Sequence, residues 1–127
     1  MKRIALLLAL AATTQAAPPD SFWRALHVVE TGGKRGAILG DNGKALGPLQ
    51  IHRSYWQDAR VSGRYEDCAD LAYSIKVASS YLKKYAPKAW EAGDITTLAR
   101  IHNGGPKGDK KPATLRYADK VKRAAGK

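Results

Sequence analysis

The segment ETGGKRGAILGD, residues 30–41, constrains the fold more than any other stretch because it places four glycines between two carboxylates. Gly32 and Gly33 follow directly on a helical pattern, and glycine adopts the left-handed conformation that ends a helix at little steric cost. Glu30 is therefore predicted to lie in the last turn of the first helix. The later glycines of the segment favour a change of direction into extended structure.

The first helix is indicated by one apolar face. Phe22, Leu26 and Val29 have the i, i+4, i+7 spacing that places side chains on the same side of a helix. Asp20 or Ser21 is the predicted N-cap, since a short polar side chain can accept a hydrogen bond from a free N–H of the first turn.

A small β-hairpin is predicted after this helix. Asn42 and Gly43 lie between two short apolar segments, and this dipeptide favours a two-residue turn in which both residues have positive φ. Asp41 would then end the first strand, immediately before the turn. The glycines nearby weaken a sheet, so we expect a small ribbon.

The rest of the chain has mainly helical patterns. Helices are predicted over residues 50–60 and 69–85, after Asp94 as an N-cap, and from Pro112 to about Arg123, with Pro87 as a stop after the second of these. The order of elements predicts an α+β fold that is mostly α and forms a single domain.

The N-terminus has the pattern of a secretory signal peptide. Lys2 and Arg3 precede an apolar run of nine residues, 4–12, and small residues follow before Pro18. The run is about half the ~20 residues that a membrane-spanning helix needs. We therefore predict a signal peptide at 1–17, a folded domain at 18–127, and a secreted or periplasmic location without stable membrane insertion.

The single cysteine, Cys68, rules out an internal disulfide and a cysteine-based metal site. His27, His52 and His102 lack the spacing of a metal motif, so neither metal nor cofactor is predicted. Burial of an unreactive thiol is the expected state of Cys68.

The chain is strongly basic, with a formal net charge of +11 that becomes +9 without Lys2 and Arg3. Such a charge favours polyanionic partners, which for an exported protein are acidic cell-wall polymers or anionic membrane surfaces. No nucleic-acid-binding module is recognisable, so no nucleic-acid partner is expected.

Glu30 and Asp41 can form an acid–base pair. A carboxylate in the last turn of a helix meets the negative end of the helix dipole, and Val28 and Val29 suggest an apolar wall; both favour the protonated carboxyl of a general acid. Asp41, beside an open turn and Lys44, is expected to stay ionised. Glycosidic bond hydrolysis uses two carboxyls in such unlike surroundings. The alternative is two solvated surface charges.

Three further motifs resemble the invertebrate-type lysozyme (destabilase) family: GPLQIHRSYW (47–56), LARIHNGGPKG (98–108) and TLRYADKV (114–121). Together with the Glu30–Asp41 pair they extend over almost the whole predicted domain. The resemblance implies a lysozyme-like domain with the hairpin beside a catalytic cleft. Two departures stand out, since family members in animals are rich in disulfides and usually have Tyr-Trp where this chain has Tyr117-Ala118.

The resemblance implies a muramidase that hydrolyses the β-1,4 bond between N-acetylmuramic acid and N-acetylglucosamine in peptidoglycan, as a monomer. Glu30 would be the general acid, and Asp41 the nucleophile or electrostatic stabiliser. The residues implied to line the sugar cleft are Gln50, Tyr55, His102, Asn103 and Gly104.

Other functions are compatible with the same residues. A lytic transglycosylase would use Glu30 alone, because the substrate's own C6 hydroxyl displaces the leaving group. A non-enzymatic basic protein could bind and disrupt anionic envelopes through its positive charge. An isopeptidase built on Ser54 and His102 is the least supported, because Ser54 lies in no nucleophile motif.

Overall fold

The computed structural model describes residues 17–126. The predicted signal peptide lies outside these residues, apart from Ala17. Within the described range no helix is long and apolar enough to cross a membrane. The described α-helices and strands, in chain order, are α1 Asp20–Thr31, β1 Leu39–Gly40, β2 Ala45–Leu46, β3 Ile51–His52, α2 Arg53–Ala59, α3 Leu71–Tyr85, α4 Pro87–Ala92, α5 Ile95–Gly104 and α6 Leu115–Ala124, with 3₁₀ turns at Tyr65–Ala69, Gly108–Lys110 and Pro112–Thr114.

Helix α1 ends as predicted but begins differently. Gly32 terminates it with φ 68°, and its N–H donates to the Val28 carbonyl at 2.8 Å. Glu30 therefore lies in the last turn. The N-cap is Pro19, and no side chain caps the helix, so the predicted capping by Asp20 or Ser21 was wrong. Proline supplies the extended backbone of an N-cap through its fixed φ.

The hairpin forms in the register that a turn at Asn42-Gly43 implies, since Gly40 pairs with Ala45. Its loop is longer than predicted, because residues 41–44 all lie outside the strands. The Gly43 N–H donates to the Gly40 carbonyl at 2.9 Å, and Asp41 and Asn42 have φ values of 49° and 58°. Asp41 therefore belongs to the loop and not to the strand. Aspartate and asparagine both tolerate the left-handed region, which allows this longer loop.

A third strand follows where a helix was predicted. Leu46 pairs with Ile51, so β2 and β3 extend the hairpin into a three-stranded antiparallel sheet of order β1-β2-β3. Gln50 has φ 54°, a left-handed conformation that a helix cannot contain, and α2 starts only at Arg53. The predicted helix at 50–60 was therefore too long at its start.

The remaining helices build the core that carries this sheet. Asp70 caps α3 and Asp94 caps α5, each through a side-chain hydrogen bond. Pro87 follows the end of α3 and also lies in the first turn of α4. Proline is tolerated there because an N–H in the first turn of a helix has no acceptor within that helix. Helix α6 packs against α5 and α1. The prediction of a mostly α fold with a minor sheet is confirmed.

Candidate active site

A cleft of about 360 Å³ lies between the end of α1, the sheet and α5. Five of the seven predicted site residues line it, and Ala45 and His52 complete the lining. Tyr55 and Gly104 are absent from this surface. The lining residues are Glu30, Asp41, Ala45, Gln50, His52, His102 and Asn103.

Glu30 is largely enclosed and lies among hydrogen-bonding groups. Its side chain is 17% exposed, and the Tyr117 hydroxyl donates to its Oε2 at 2.5 Å. Burial raises the pKa of Tyr117 well above the usual value, and the charge and hydrogen bond of Glu30 raise it further. Tyr117 therefore remains a donor to Glu30 throughout the physiological pH range.

The apolar wall expected beside Glu30 is only partly present. Val28 is 55% exposed, so its side chain does not shield the carboxyl as predicted. The cause is the helical phase of α1, which turns Phe22 and Leu26 into the core and Val28 away from it. The surroundings of Glu30 are instead set by residues from α5 and α6.

His102 is buried and contacts both Glu30 and residues of the core. Its Nε2 lies 3.3 Å from the Leu49 carbonyl and 3.5 Å from Glu30 Oε2. Its Nδ1 lies 2.8 Å from the Tyr55 hydroxyl. Because Nε2 faces two acceptors, the network assigns the proton to Nε2 and makes Nδ1 the acceptor from Tyr55.

Tyr55 lies beneath the cleft and not along it. Its ring stacks on Tyr81 with centroids 3.7 Å apart and an interplanar angle of 11°. Burial, reinforced by Tyr81, Glu30 and Cys68, raises the pKa of Tyr55 well above its usual value. Tyr55 thus offers no free ring face to a sugar, and it acts on the site by orienting His102.

Gly104 is likewise a packing residue in this fold. A Cβ at this position would lie 2.6 Å from Thr114 Cγ2. Its carbonyl accepts a hydrogen bond from Lys111 Nζ at 2.6 Å. The glycine allows α5 to approach the segment that leads into α6, which places Gly104 behind the cleft.

Asp41 lies at the opposite side of the cleft in a more open environment. Its side chain is 58% exposed, and His52 Nε2 lies 3.1 Å from its Oδ2. The cleft therefore holds one enclosed carboxyl, Glu30, and one solvated carboxyl, Asp41.

Gln50 both lines the cleft and braces the turn that carries Asp41. Its Nε2 donates to the carbonyls of Ile38 at 3.3 Å and Gly47 at 3.0 Å. Its Oε1 is so close to Gly40 that a Cβ there would lie 1.9 Å away. The strand therefore needs glycine at position 40 for Gln50 to hold the hairpin.

Two glycines of the GPLQI and HNGGPKG motifs also have packing roles. A Cβ on Gly47 would lie 1.9 Å from the Cys68 carbonyl oxygen, and one on Gly108 would lie 2.0 Å from the Arg100 carbonyl oxygen. Cys68 itself is free and buried. Burial raises the pKa of this thiol to about 12, with Asp67 and Glu66 adding to the effect.

Two residues of the site, His52 and Tyr117, were not predicted from the sequence. His52 was considered only as a metal ligand, and Tyr117 only as part of a departure from the family pattern. Both lie inside the quoted motifs GPLQIHRSYW and TLRYADKV. The sequence does not indicate their roles, because Tyr117 contacts Glu30, which is 87 positions away, and His52 contacts Asp41, which the hairpin loop positions.

Comparisons with known proteins identify relatives of this chain. A family model described as Destabilase matches residues 24–124. A lysozyme of Ostrea edulis is 41% identical over 85 residues, which cover 64% of this chain and 62% of that protein. An invertebrate-type lysozyme of Ruditapes philippinarum is 30% identical over 102 residues, covering 77% of this chain and 75% of that protein.

A similarity in three dimensions accompanies the similarity in sequence. The crystal structure of Tapes japonica lysozyme matches with a TM-score of 0.71 and 26% identity, covering 87% of this chain and 94% of that one. The sequence match spans less than two thirds of the Ostrea edulis protein.

Proposed function

This chain belongs to the Destabilase family of invertebrate-type lysozymes, and from that premise we propose that it is a glycoside hydrolase acting on peptidoglycan. The bond cleaved is the β-1,4 linkage between N-acetylmuramic acid and N-acetylglucosamine. The observation that carries the proposal is the presence of Glu30 and Asp41 in one cleft, the first enclosed and the second solvated.

In this mechanism Glu30 is the general acid. As the bond from the anomeric carbon to the glycosidic oxygen breaks, Glu30 gives its proton to that oxygen, and the leaving sugar departs with a hydroxyl. Tyr117 and His102 hold the Glu30 carboxyl in a fixed orientation. Such positioning contributes to catalysis because the reacting groups need no reorientation.

Asp41 supports the positive charge that develops at the anomeric carbon, as a nucleophile or as an ionised neighbour. Water then supplies the hydroxyl of the new reducing end, and Glu30 recovers a proton from it. His52, 3.1 Å from Asp41, restrains the direction of its carboxylate.

We assign sugar binding to the polar residues that line the cleft beside the two carboxyls. Gln50 and Asn103 offer two amides, which suit hydroxyl and acetamido groups. The predicted sugar contact of His102 is not retained, because both of its ring nitrogens are engaged and its side chain is 2% exposed. Gln50 and His102 have hydrogen bonds that fix them before substrate arrives. Tyr55 and Gly104 lie behind the cleft and contribute to the site through packing.

Product analysis tests the proposal. Purified peptidoglycan is digested with wild type, Glu30→Gln and Asp41→Asn, and the fragments are identified by mass spectrometry. We expect reducing ends from wild type and a loss of at least about a hundredfold in rate for Glu30→Gln, in the range of a lost general acid. Asp41→Asn should also be strongly impaired.

The same experiment separates the alternatives. Fragments with 1,6-anhydro ends, together with an active Asp41→Asn variant, would assign the chain to the lytic transglycosylases. Full bacteriolytic activity of Glu30→Gln would favour a non-enzymatic, charge-driven action on the envelope. Circular dichroism of each variant shows whether a loss of activity reflects unfolding.

We further propose that residues 1–17 are a signal peptide removed during export, since the substrate lies outside the cytoplasmic membrane. N-terminal sequencing of the exported protein should give Pro18 as the first residue. A retained Met1 would contradict this processing.

A further inference from the structure

A second recess, of about 330 Å³, adjoins the cleft on the far side of the hairpin turn. It shares His52 with the cleft, and the turn that carries Asp41 contributes to its wall. Its lining residues are Gly43, Lys44, His52, Arg53, Ser54 and Tyr65. No carboxylate is among them, whereas Lys44 and Arg53 supply two permanent positive charges.

Arg53 packs on Tyr65, which also lines the recess, and lies near Glu66. Its guanidinium carbon lies 4.4 Å from the centroid of the Tyr65 ring, and its Nη2 lies 3.9 Å from Glu66 Oε2. The Tyr65 hydroxyl donates to the Ile51 carbonyl at 2.6 Å, which fixes the ring on which Arg53 rests. The guanidinium is thus oriented although the site is open.

Lys44 is free to bind a ligand. Among residues 17–126 its ammonium group is in none of the salt bridges. Two negative charges are close to the recess, and both are engaged, Asp41 with His52 and Glu66 with Arg53. The 3.9 Å separation of the Glu66 pair and the exposure of both its side chains make that contact weak and replaceable.

We propose that this recess binds a carboxylate carried by the muramic acid branch of the substrate. The inference rests on the proposed function, since it places a glycan in the adjoining cleft. Each muramic acid bears a lactyl group, which is either a free carboxylate or the attachment point of a stem peptide with carboxylates of its own. The planar fork of Arg53 matches a carboxylate in two parallel hydrogen bonds, and Lys44 adds a mobile charge.

The test compares substrates that differ only in this branch. They are peptidoglycan with stem peptides, the same glycan stripped by an amidase so that only the lactyl carboxylate remains, and uncharged chitotetraose. For the double variant Lys44→Gln/Arg53→Gln, we expect the ratio of kcat/KM for at least one of the two peptidoglycan forms over kcat/KM for chitotetraose to fall about tenfold, through KM. Lys122→Gln, a change on exposed α6, should leave the ratio unchanged.

The stripped glycan separates the two sources of the carboxylate. In intact peptidoglycan the lactyl carboxyl forms the amide bond to the stem peptide, so only the stem peptide offers carboxylates there. A fall with the stripped glycan alone means that the recess binds the lactyl carboxylate, a fall with intact peptidoglycan alone means that it binds the stem peptide, and a fall with both means that it accepts either carboxylate. Unchanged ratios for both peptidoglycan forms, each taken against chitotetraose, would overturn the proposal.

Direct binding makes the result independent of hydrolysis. The stem tripeptide, free N-acetylmuramic acid and inorganic phosphate are titrated into the wild-type protein, and backbone amide shifts are followed by NMR. We expect one of the two carboxylate ligands to shift Lys44 and Arg53 and to lose this effect in the double variant. Saturable binding of phosphate alone would reject a carboxylate site in favour of a wall-polymer phosphate.

This design also distinguishes failure of the subsite from failure of the proposed function. If wild type cleaves none of the polymers, the hydrolase assignment fails, while the NMR titration still reports on the recess. If cleavage occurs but neither carboxylate ligand binds and the ratio is unchanged, only the subsite is wrong.

Discussion

The Tyr117 hydroxyl donates a hydrogen bond of 2.5 Å to Glu30 Oε2, joining residues that are 87 positions apart. The contact ties α6 to the last turn of α1 at the carboxyl that we propose to be the general acid. The helix packing that stabilises the core therefore also sets the environment of the site. A substitution in α6 that removes this contact should therefore change the catalytic rate.

Replacing Tyr117 with phenylalanine removes this donor and keeps the ring. We expect kcat/KM to fall about tenfold. A hydrogen bond to a charged group contributes about 1.5–3 kcal/mol, and the partial exposure of Glu30 reduces this contribution. Tyr85→Phe, outside the cleft lining, is the matched control. An unchanged kcat/KM in Tyr117→Phe would show that the contact has no part in the reaction.

Gly47 is predicted to be intolerant of any side chain. It has φ 85°, and a Cβ would lie 1.9 Å from a backbone oxygen of Cys68, which cannot move aside as a side chain can. Gly47→Ala should lower the free energy of unfolding by roughly 3 kcal/mol or more, from overpacking added to left-handed strain.

Gly36 provides the control for that measurement. Its φ is 97° and nothing lies within 4 Å of the Cβ position, so Gly36→Ala adds backbone strain alone. We expect a loss of about 1–2 kcal/mol in urea denaturation. Equal losses for the two variants would show that the contact with Cys68 is not the cause.

The Cys68 thiol should be unreactive in the native protein. It is buried, and its pKa is raised to about 12, so almost no thiolate is present near neutral pH. A thiol reagent such as DTNB at pH 8 is expected to react at least about a hundredfold more slowly with the folded than with the urea-unfolded chain. A fast reaction in the absence of urea would indicate that the segment around Tyr65–Ala69 opens readily.

Stability should decrease at alkaline pH. Burial raises the pKa of Cys68 from 9.0 to about 12 and that of Tyr81 from 10.0 to about 12. Above pH 9 to 10 the unfolded chain loses these protons while the native protein keeps them, so rising pH favours unfolding. The stabilising effect is complete below the unfolded pKa values and is lost as the pH passes 12.

Urea denaturation at pH 7, 9 and 11 tests this expectation. The free energy of unfolding should fall most between pH 9 and 11. Tyr81→Phe should show a shallower fall over the same interval because one of the raised groups is absent. A pH-independent free energy would contradict the assignment of these groups as buried and protonated.

Local sequence patterns predicted the end of α1, the N-cap of α5 and the hairpin register, whereas the predicted starts of α1 and α2 were wrong. Gly32 ends α1 because glycine adopts the left-handed conformation easily, and Asp70 and Asp94 cap their helices with their own side chains. These are interactions within a few residues, so they can be predicted from neighbours alone. The capping of α3 by Asp70 was not predicted, although its signal was present.

Errors arose where tertiary contacts override local preference. Gln50 was predicted to start a helix. Instead, its side-chain amide donates to the carbonyls of Ile38 and Gly47, and its backbone is left-handed. The hairpin has the register that Asn42-Gly43 implies, but its loop is four residues long and includes Asp41, whose backbone is left-handed.

Local residue patterns are enough to predict that a helix ends after Glu30, that a hairpin contains Asp41, and that a short glycine-rich segment joins the two. The residues around these carboxyls come from the packing of distant elements: Tyr117 from α6 and His102 from α5 at Glu30, and His52 at Asp41. Backbone conformation follows from nearby residues, whereas hydrogen bonding at the two carboxyls depends on how the helices and the sheet pack.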